Sequence, residues 1–446
     1  MHVYTIRPFC RKKVDNAYYL LLKKRKGEQV SVIQINEIGN DIVFLLEKHV
    51  PLQSIFEELS KEYEISNEMA ESVLEDIRSF LSVLVEFGLL VVGESVAARL
   101  GVSSNPASSN TLQIGMLERL YKEKGLLYKA FIEITYACNL RCRHCYRTEA
   151  VEGSKAHLGS AHMDRGMVFE LLDQLEKEGA VEVYITGGEA FLHPDILDIL
   201  EYASKKNFLT TVLTNGNVIA DKCLAPLLSK MDLFDIRVSI YGDRRAHDRF
   251  TLRSGSFDKS MAALESIQES MGVGTAVYVA TSESINDLDH MAETIKGKGV
   301  NLSINPVITP TSAGALFPLE YRLSLRDYER LCGKYKTLSN GSSCTAGISR
   351  LRITPFGDVD GCELLPNSKI GNLFESNLKA ILCSERRAAF VRFLDKLSES
   401  ASCSKCSKRP FCNVCPGAFY LETGGWGLAP EYRCGMTDVK IQSFSR

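Results

Sequence analysis

The stretch FIEITYACNLRCRHCYR, Phe131 to Arg147, decides how this chain folds. Its first half is apolar and partly β-branched, and reads as a strand over Ala130–Thr135. Its second half carries Cys138, Cys142 and Cys145 at C-x3-C-x2-C spacing, so three thiols stand in the loop at the carboxyl end of that strand. In parallel α/β folds that end is where active sites form. Three thiolates close together suit soft metals. An iron–sulfur cubane ordinarily takes four cysteines, and with three it keeps one iron open. The alternative is a structural zinc site, which needs a fourth ligand; His144 is the nearby candidate, awkwardly placed between two of the cysteines.

Outward from this stretch the chain alternates. Strands are expected at Val181–Thr186, Leu209–Leu213, Phe234–Ile240, Gly274–Ala280 and Leu302–Pro306. Amphipathic stretches of helical length lie between most of them, such as Met167–Glu178 and Ser256–Met271. Such alternation implies parallel strands with helical crossovers, hence an α/β fold. Six β/α units are fewer than the eight of a closed barrel, so residues 129–315 read as a partial (β/α)6 barrel.

Residues 1–95 read as a separate α+β domain. Tyr18–Leu22 and Val30–Ile35 are strand-like, flanking the charged turn KKRKGEQ. Helices are expected at Ile38–Glu47, Leu52–Tyr63 and Ser66–Phe87, the last capped by Ser66 with Glu68 and Glu71 in its first turn. A short strand over 88–92 closes the domain. Residues 96–128 read as a linker and bridging helix, the linker falling in the Ser-, Gly- and Ala-rich run 93–110. Residues 316–340 form a bridging helical segment, and 341–446 a cysteine-rich domain.

The whole-chain numbers narrow the setting. A length of 446 residues suggests two to four domains. A net charge of −2 gives no general pull towards nucleic acid or membrane. The longest apolar-leaning run, Phe80–Val92, contains Glu86 and is too short to span a bilayer. The opening MHVYTIRPFCRKK has no secretory pattern, so a cytoplasmic protein is expected. In that reducing setting, 14 cysteines point to metal or redox work instead of disulfides.

Seven of those cysteines form a second field: Cys344, Cys362, Cys403, Cys406, Cys412, Cys415 and Cys434. The pattern runs C-x12-G-x4-C with Gly357 as the glycine, then C-x2-C-x5-C-x2-C-x18-C. A zinc ribbon is the alternative for Cys403–Cys415. Cys10, Cys223, Cys332 and Cys383 have no partners at ligand spacing and read as ordinary small apolar residues.

Taken together, these motifs resemble the radical S-adenosylmethionine (SAM) enzymes with a C-terminal SPASM domain. The cysteine loop matches the family's first [4Fe–4S] site. The second strand ends in TGGEAFLHPD, where Gly187, Gly188 and Glu189 match the GGE that receives the SAM amino group. The third strand ends in Thr214-Asn215-Gly216, and Asn215 joins the expected SAM-binding set. The fourth reads RVSIYG, with Ser239 at the ribose position, and His144 stands at the position beside the adenine. HDRFTLRSGSF (247–257) resembles the segment supplying an arginine near the SAM carboxylate, with Arg249 and Arg253 both candidates. No general acid or base is singled out.

The second field resembles a SPASM domain with two auxiliary [4Fe–4S] clusters, three clusters in all. The resemblance assigns Cys403, Cys406, Cys412 and Cys434 to one auxiliary cluster, and Cys344, Cys362 and Cys415 to the other. The latter lacks a fourth ligand: Cys332, Cys383, another side chain or the substrate could supply it. The C-x2-C-P ending is similar to the peptide-crosslinking members. The N-terminal unit resembles the winged-helix-like recognition element that binds the leader of a ribosomally made precursor peptide by adding it as a strand. Basic runs at Arg11–Lys13 and Lys23–Lys26 could attract an acidic leader or simply guard a strand edge; a winged-helix nucleic-acid module is the competing reading.

The resemblance thus implies a peptide maturase that forms a crosslink, first a cysteine sulfur-to-carbon thioether. A carbon–carbon or carbon–oxygen crosslink is the second choice, and formylglycine formation is less expected. A non-catalytic leader-binding or zinc-stapled scaffold is the contrasting class. The expected partners are a precursor peptide and an electron donor of flavodoxin or ferredoxin type, with no nucleic acid and no membrane.

Overall fold

The computed structural model describes residues 4–22, 30–63, 69–93, 96, 111–147, 161–335, 344–365, 367–399, 401–425 and 428–444. Ser66 and Glu68, Lys23–Lys26, most of the expected linker and the end of the bridging segment lie outside the described residues. The chain divides into two compact units, Met1–Leu120 and Tyr121–Arg446.

In the first unit, β1 (Tyr4–Ile6), β2 (Phe9–Val14), β3 (Ala17–Leu22) and β4 (Ser31–Ile35) precede three helices, α1 (Glu37–Glu47), α2 (Ile55–Tyr63) and α3 (Ala70–Glu86). Then come β5 (Leu90–Val92), β6 (Thr111–Gln113) and the helix α4 (Ile114–Glu123). A two-residue turn joins β2 to β3, where Asp15 takes a left-handed φ of 52°, as short-chain turn residues can. Asn36 caps α1, its side chain accepting from Gly39 N at 2.9 Å. Leu20, Ile33, Val43, Leu46, Ile77 and Leu81 are buried together between sheet and helices. The antiparallel sheet runs β2-β3-β4-β6, and β5 pairs with β1. Besides the short β1, which was not expected, two features differ from the expectation. β2 is a strand despite the charged sequence FCRKKV, because Cys10 and Val14 turn inward. Thr111–Gln113, expected to be helical, pairs antiparallel with β4.

In the second unit six strands run parallel in sequence order: β7 (Lys129–Thr135), β8 (Glu182–Gly187), β9 (Leu209–Thr214), β10 (Asp235–Ile240), β11 (Thr275–Val279) and β12 (Asn301–Asn305). These are the six expected strands. β7 sends Ala130, Ile132 and Ile134 into a core shared with Val168, Leu171 and Leu175 of the helix Arg165–Lys177. Each such fully buried valine, leucine or isoleucine side chain contributes roughly 1.5–3 kcal/mol. Alternation then turns Phe131, Glu133 and Thr135 to the opposite face.

The sheet does not stop at β7. β13 (Arg350–Ile353) adds to its edge in parallel, followed by antiparallel β14 (Asp358–Asp360) and β15 (Lys369–Asn372). Among the described residues the order is β12-β11-β10-β9-β8-β7-β13-β14-β15. The cysteine-rich region therefore begins as a continuation of the same sheet. No helix among the described residues is long and apolar enough to cross a membrane.

Candidate functional site: a cysteine loop fastened to three strand ends

The loop after β7 is held by its neighbours' backbones. Gly188 N donates to Thr135 O and Glu189 N to Ala137 O, both at 2.8 Å. The approach explains the glycine pair. A Cβ on Gly188 would lie 2.7 Å from the Tyr136 carbonyl oxygen and closer still to that of Ala137, while Gly187 presses on the Thr135 carbonyl.

Glu189 is 1% exposed. Its Oε1 accepts from Phe191 N at 3.1 Å and from the Thr214 hydroxyl at 2.6 Å, and its Oε2 from Asn215 N at 2.7 Å. A carboxylate offers about four acceptor sites, so roughly one remains for a bound donor. Burial pushes its pKa up, and these three donors oppose the shift. Asn215 Nδ2 in turn donates to Asn139 Oδ1 at 2.7 Å, and Arg253 Nη1 to Asn139 O at 2.8 Å. One residue of the cysteine loop thus receives both the end of β9 and the segment 247–257. Of the two candidate arginines, Arg253 sits on the loop. Arg249 faces Glu283, with Nη2 3.0 Å from its carboxylate.

His144, half-buried, packs against aromatic rings, with centroids 5.1 Å from Tyr241 and 5.0 Å from Phe250. Burial lowers its pKa to about 4, and its Nδ1 has no hydrogen-bond partner. The Tyr241 hydroxyl lies within hydrogen-bonding reach of both Ser239 and the Cys142 thiol. Gly187, Gly188, Glu189, Asn215, Arg253, His144 and Ser239 are therefore all placed around or just behind the one loop. Asn139, Thr214 and Tyr241 were not singled out in the sequence. Asn139 follows Cys138 directly and Tyr241 stands within RVSIYG, two residues after Ser239, so motif adjacency was the available signal.

The three thiols of the loop are mutual neighbours. Cys138 and Cys142 each feel Cys145, and burial, the larger effect, raises the Cys138 thiol to about 11 and Cys142 higher. Thiols buried this way stay neutral unless a cation compensates them, and iron does so on ligation.

The seven C-terminal cysteines fall into two sets. Cys434 lies among Cys403, Cys412 and Cys406. Cys344 and Cys362 each neighbour Cys415, and Cys344 packs against the cluster containing Cys362. Cys415 is the N-cap of the helix Pro416–Thr423, where the helix dipole favours a thiolate. Burial raises Cys362 to about 12. Cys332 lies beside Tyr328 and Lys440, and Cys383 near Arg387. Cys10 is buried in β2 and Cys223 is exposed. Among the described residues no group of three or more Cys, His, Asp or Glu side chains is arranged to hold a single metal ion. A cubane is a larger body and takes its thiolates farther apart. The donor chemistry, soft sulfur in sets of three, three and four, fits iron–sulfur clusters.

Comparison with known proteins agrees with this donor chemistry. Residues 132–295 match the sequence model of the Radical SAM superfamily, and residues 344–407 that of SPASM, an iron–sulfur cluster-binding domain. The antilisterial bacteriocin subtilosin biosynthesis protein AlbA of Bacillus subtilis is 27% identical over 315 residues, which are 65% of this chain and 66% of AlbA. The mycofactocin maturase MftC of Mycobacterium tuberculosis is 26% identical over 253 residues, 52% of this chain and 63% of MftC. The chain thus spans slightly under two thirds of the length of these curated relatives. Among solved structures, SuiB of Streptococcus suis bound to S-adenosylmethionine superposes with a TM-score of 0.61 at 15% identity, covering 96% of this chain and 99% of that one. SuiB bound to its precursor peptide SuiA gives 0.60, covering 97% and 99%. At that identity the likeness shows the fold alone. With both domain matches resting on the cysteine-bearing regions, the chain belongs to the radical SAM superfamily and carries a SPASM-type iron–sulfur cluster-binding domain.

Proposed function

We propose that this protein is a radical SAM maturase that binds the leader of a ribosomally made precursor peptide and installs a cysteine sulfur-to-carbon thioether. With S-adenosylmethionine bound and one electron from an external donor, a [4Fe–4S] cluster would supply a 5′-deoxyadenosyl radical able to take hydrogen from carbon, with methionine released. Cys138, Cys142 and Cys145 would hold that cluster. Gly187, Gly188, Glu189, Asn215, Ser239 and Arg253 would orient the cofactor, and His144, Tyr241 and Phe250 would give the site a dry wall.

The observation that carries this reading is the fastening of the cysteine loop by Glu189, Asn215 and Arg253, residues from three other chain segments. A purely structural metal loop has no need of polar groups converging from so many chain segments. The names of the relatives, a bacteriocin biosynthesis protein and a maturase, support a peptide substrate. So does the fold likeness to SuiB, which has been solved with a precursor peptide. The domains would divide as the sequence suggests: leader recognition in residues 1–95, radical chemistry in 129–315, auxiliary clusters in 341–446. The unit with β2-β3-β4-β6 would take the leader by strand addition, which raises the local concentration of the core peptide. The thioether is favoured over other crosslinks because Cys344, Cys362 and Cys415 form a set of three, which a substrate thiol would complete, whereas Cys403, Cys406, Cys412 and Cys434 form a set of four.

The test is anaerobic reconstitution with S-adenosylmethionine, a reductant and the short peptide encoded beside the gene. The expected product is lighter by two hydrogens and has lost one alkylatable thiol, with 5′-deoxyadenosine formed alongside. Loss of two hydrogens with every thiol still alkylatable would mean a carbon–carbon or carbon–oxygen crosslink. Peptide binding without any 5′-deoxyadenosine would mean a non-catalytic binder. Replacing Cys138, Cys142 and Cys145 with alanine should abolish 5′-deoxyadenosine and leave peptide binding in place.

A further inference from the structure

Two buried carboxylates in the second unit are each gripped by two arginines. Glu133, 2% exposed on β7, accepts from Arg147 and, at 2.9 Å on each oxygen, from Arg352 Nε and Nη2. Glu422, in the helix that Cys415 caps, accepts from Arg322 at 2.8 and 2.5 Å and from Arg433 Nε at 3.0 Å. Most of the remaining donors have work. Arg322 also holds the Ile308 carbonyl at 3.0 and 2.9 Å, and Arg352 reaches Tyr136 at 3.3 Å and Asp360 at 3.4 Å. Arg147 is further placed by the Tyr146 hydroxyl at 3.2 Å and by the Tyr136 and Tyr146 rings.

Each group nevertheless leaves one guanidinium nitrogen buried and without a partner: Arg147 Nη1 and Arg433 Nη2. A buried donor without an acceptor keeps its full desolvation penalty, all the more when charged, so native structures rarely leave one unpaired. In both cases the arginine with the spare donor is the one beside cysteines. Arg147 stands two residues after Cys145, and its charge acts on the Cys138 thiol. Arg433 precedes Cys434 of the four-cysteine set, but Glu422, in the helix that Cys415 caps, holds its Nε at 3.0 Å, and its charge acts on Cys415, so the three-cysteine set is the one it reaches. Arg322 and Arg352, which are not adjacent to cysteines in sequence, have no such orphan nitrogen. The acceptor each spare donor lacks is therefore an anionic group at those cysteines. A thiolate-ligated iron–sulfur cluster is such a group, and its sulfurs accept N–H hydrogen bonds.

We propose that Arg147 Nη1 and Arg433 Nη2 donate hydrogen bonds to sulfur of the clusters at Cys138/Cys142/Cys145 and at Cys344/Cys362/Cys415, with Glu133 and Glu422 aiming them. The inference rests on the cluster assignment made above. These are positioning and potential-setting residues. A cationic donor stabilises the more negative, reduced state of a cluster, so each arginine raises the midpoint potential of its own cluster.

The test uses the full chain with its clusters. Iron content and the electron paramagnetic resonance of the reduced clusters come first, since they depend on the cluster assignment and not on the arginines. Protein grown with guanidino-15N arginine then goes to pulsed electron–nuclear measurements, and 15N coupling to two of the three clusters is expected. Arg147→Gln and Arg433→Gln should each remove one of those couplings and shift one midpoint to a more negative value, leaving the other clusters unmoved; Arg433→Lys should recover part of the shift. A protein that takes up no iron overturns the cluster assignment and this proposal with it. Full iron without 15N coupling in the unsubstituted enzyme overturns this proposal alone, whatever the variants do on folding.

Discussion

Arg253 Nη1 meets the main-chain oxygen of Asn139 at 2.8 Å across 114 residues of sequence. This bond fastens the cysteine loop at Asn139, two residues past Ala137, whose carbonyl takes the Glu189 N–H. A charged hydrogen bond of this kind is worth roughly 1.5–3 kcal/mol. Arg253→Met should therefore weaken S-adenosylmethionine binding by at least about tenfold. Arg249→Met, which loses only a half-exposed pair with Glu283, should stay within about twofold. Equilibrium dialysis on iron-loaded protein measures both; equal losses would contradict the distinction.

Gly188 has no room for a methyl group, because its Cβ direction is filled by the carbonyl oxygens of Tyr136 and Ala137. Both obstacles are backbone, so the loop itself must move. Gly188→Ala should cost roughly 1–3 kcal/mol and reduce iron uptake. Gly297→Ala, in a helix with open space at its Cβ, is the control and should be neutral or slightly stabilising. Thermal melts and iron analysis before and after reconstitution give the comparison.

The C-terminal cysteines should lose iron in groups. Cys403→Ala, Cys406→Ala or Cys434→Ala should each remove about four irons, as should Cys344→Ala or Cys362→Ala. Cys223→Ala, at an exposed turn, should remove none. A double variant taking one cysteine from each set should lose about eight. A loss of only four in that double variant would show one shared cluster instead of two.

His247 should stay neutral well into the acid range. It is 1% exposed, its Nδ1 takes the Tyr241 N–H at 3.3 Å, and burial lowers its pKa to about 4 despite the opposing pull of Asp248. The unfolded chain binds that proton near pH 6.5, so the folded state loses ground as pH falls from about 6.5 towards 4, by about 3 kcal/mol in total. Nuclear magnetic resonance of ring-labelled histidine checks this directly: the His247 resonances should not titrate between pH 7 and pH 5.

The parallel strands were legible because each is a short apolar run followed by a helix-length amphipathic stretch, a pattern set by local burial. β13 to β15 were not, since RLRI and DVD alternate charge with aliphatics in only three or four residues. They become strands because the edge of β7 is there to pair with. β2 escaped for a related reason: Cys10, Lys12 and Val14 all face inward, and the lysine among them breaks the apolar alternation. At the site, the cysteines, the glycine pair and Glu189 stand in contiguous motifs and could be read. Asn139, Glu133, Arg147 and Arg433 could not, because what they do depends on partners 11 to 219 residues away along the chain. Arg249 and Arg253 are four residues apart and chemically identical, and only their placement separates them.

Because β13 hydrogen-bonds in parallel to β7, register Arg350 with Lys129 through Ile353 with Ile132, the strand before the cysteine loop is an interior strand. Ending the gene near residue 340 would not liberate a self-sufficient catalytic half. It would strip one flank of the very strand that launches the cysteine loop, exposing a raw row of amide and carbonyl groups to any passing chain. Evolutionary trimming of this protein must therefore respect a seam that the domain boundaries conceal.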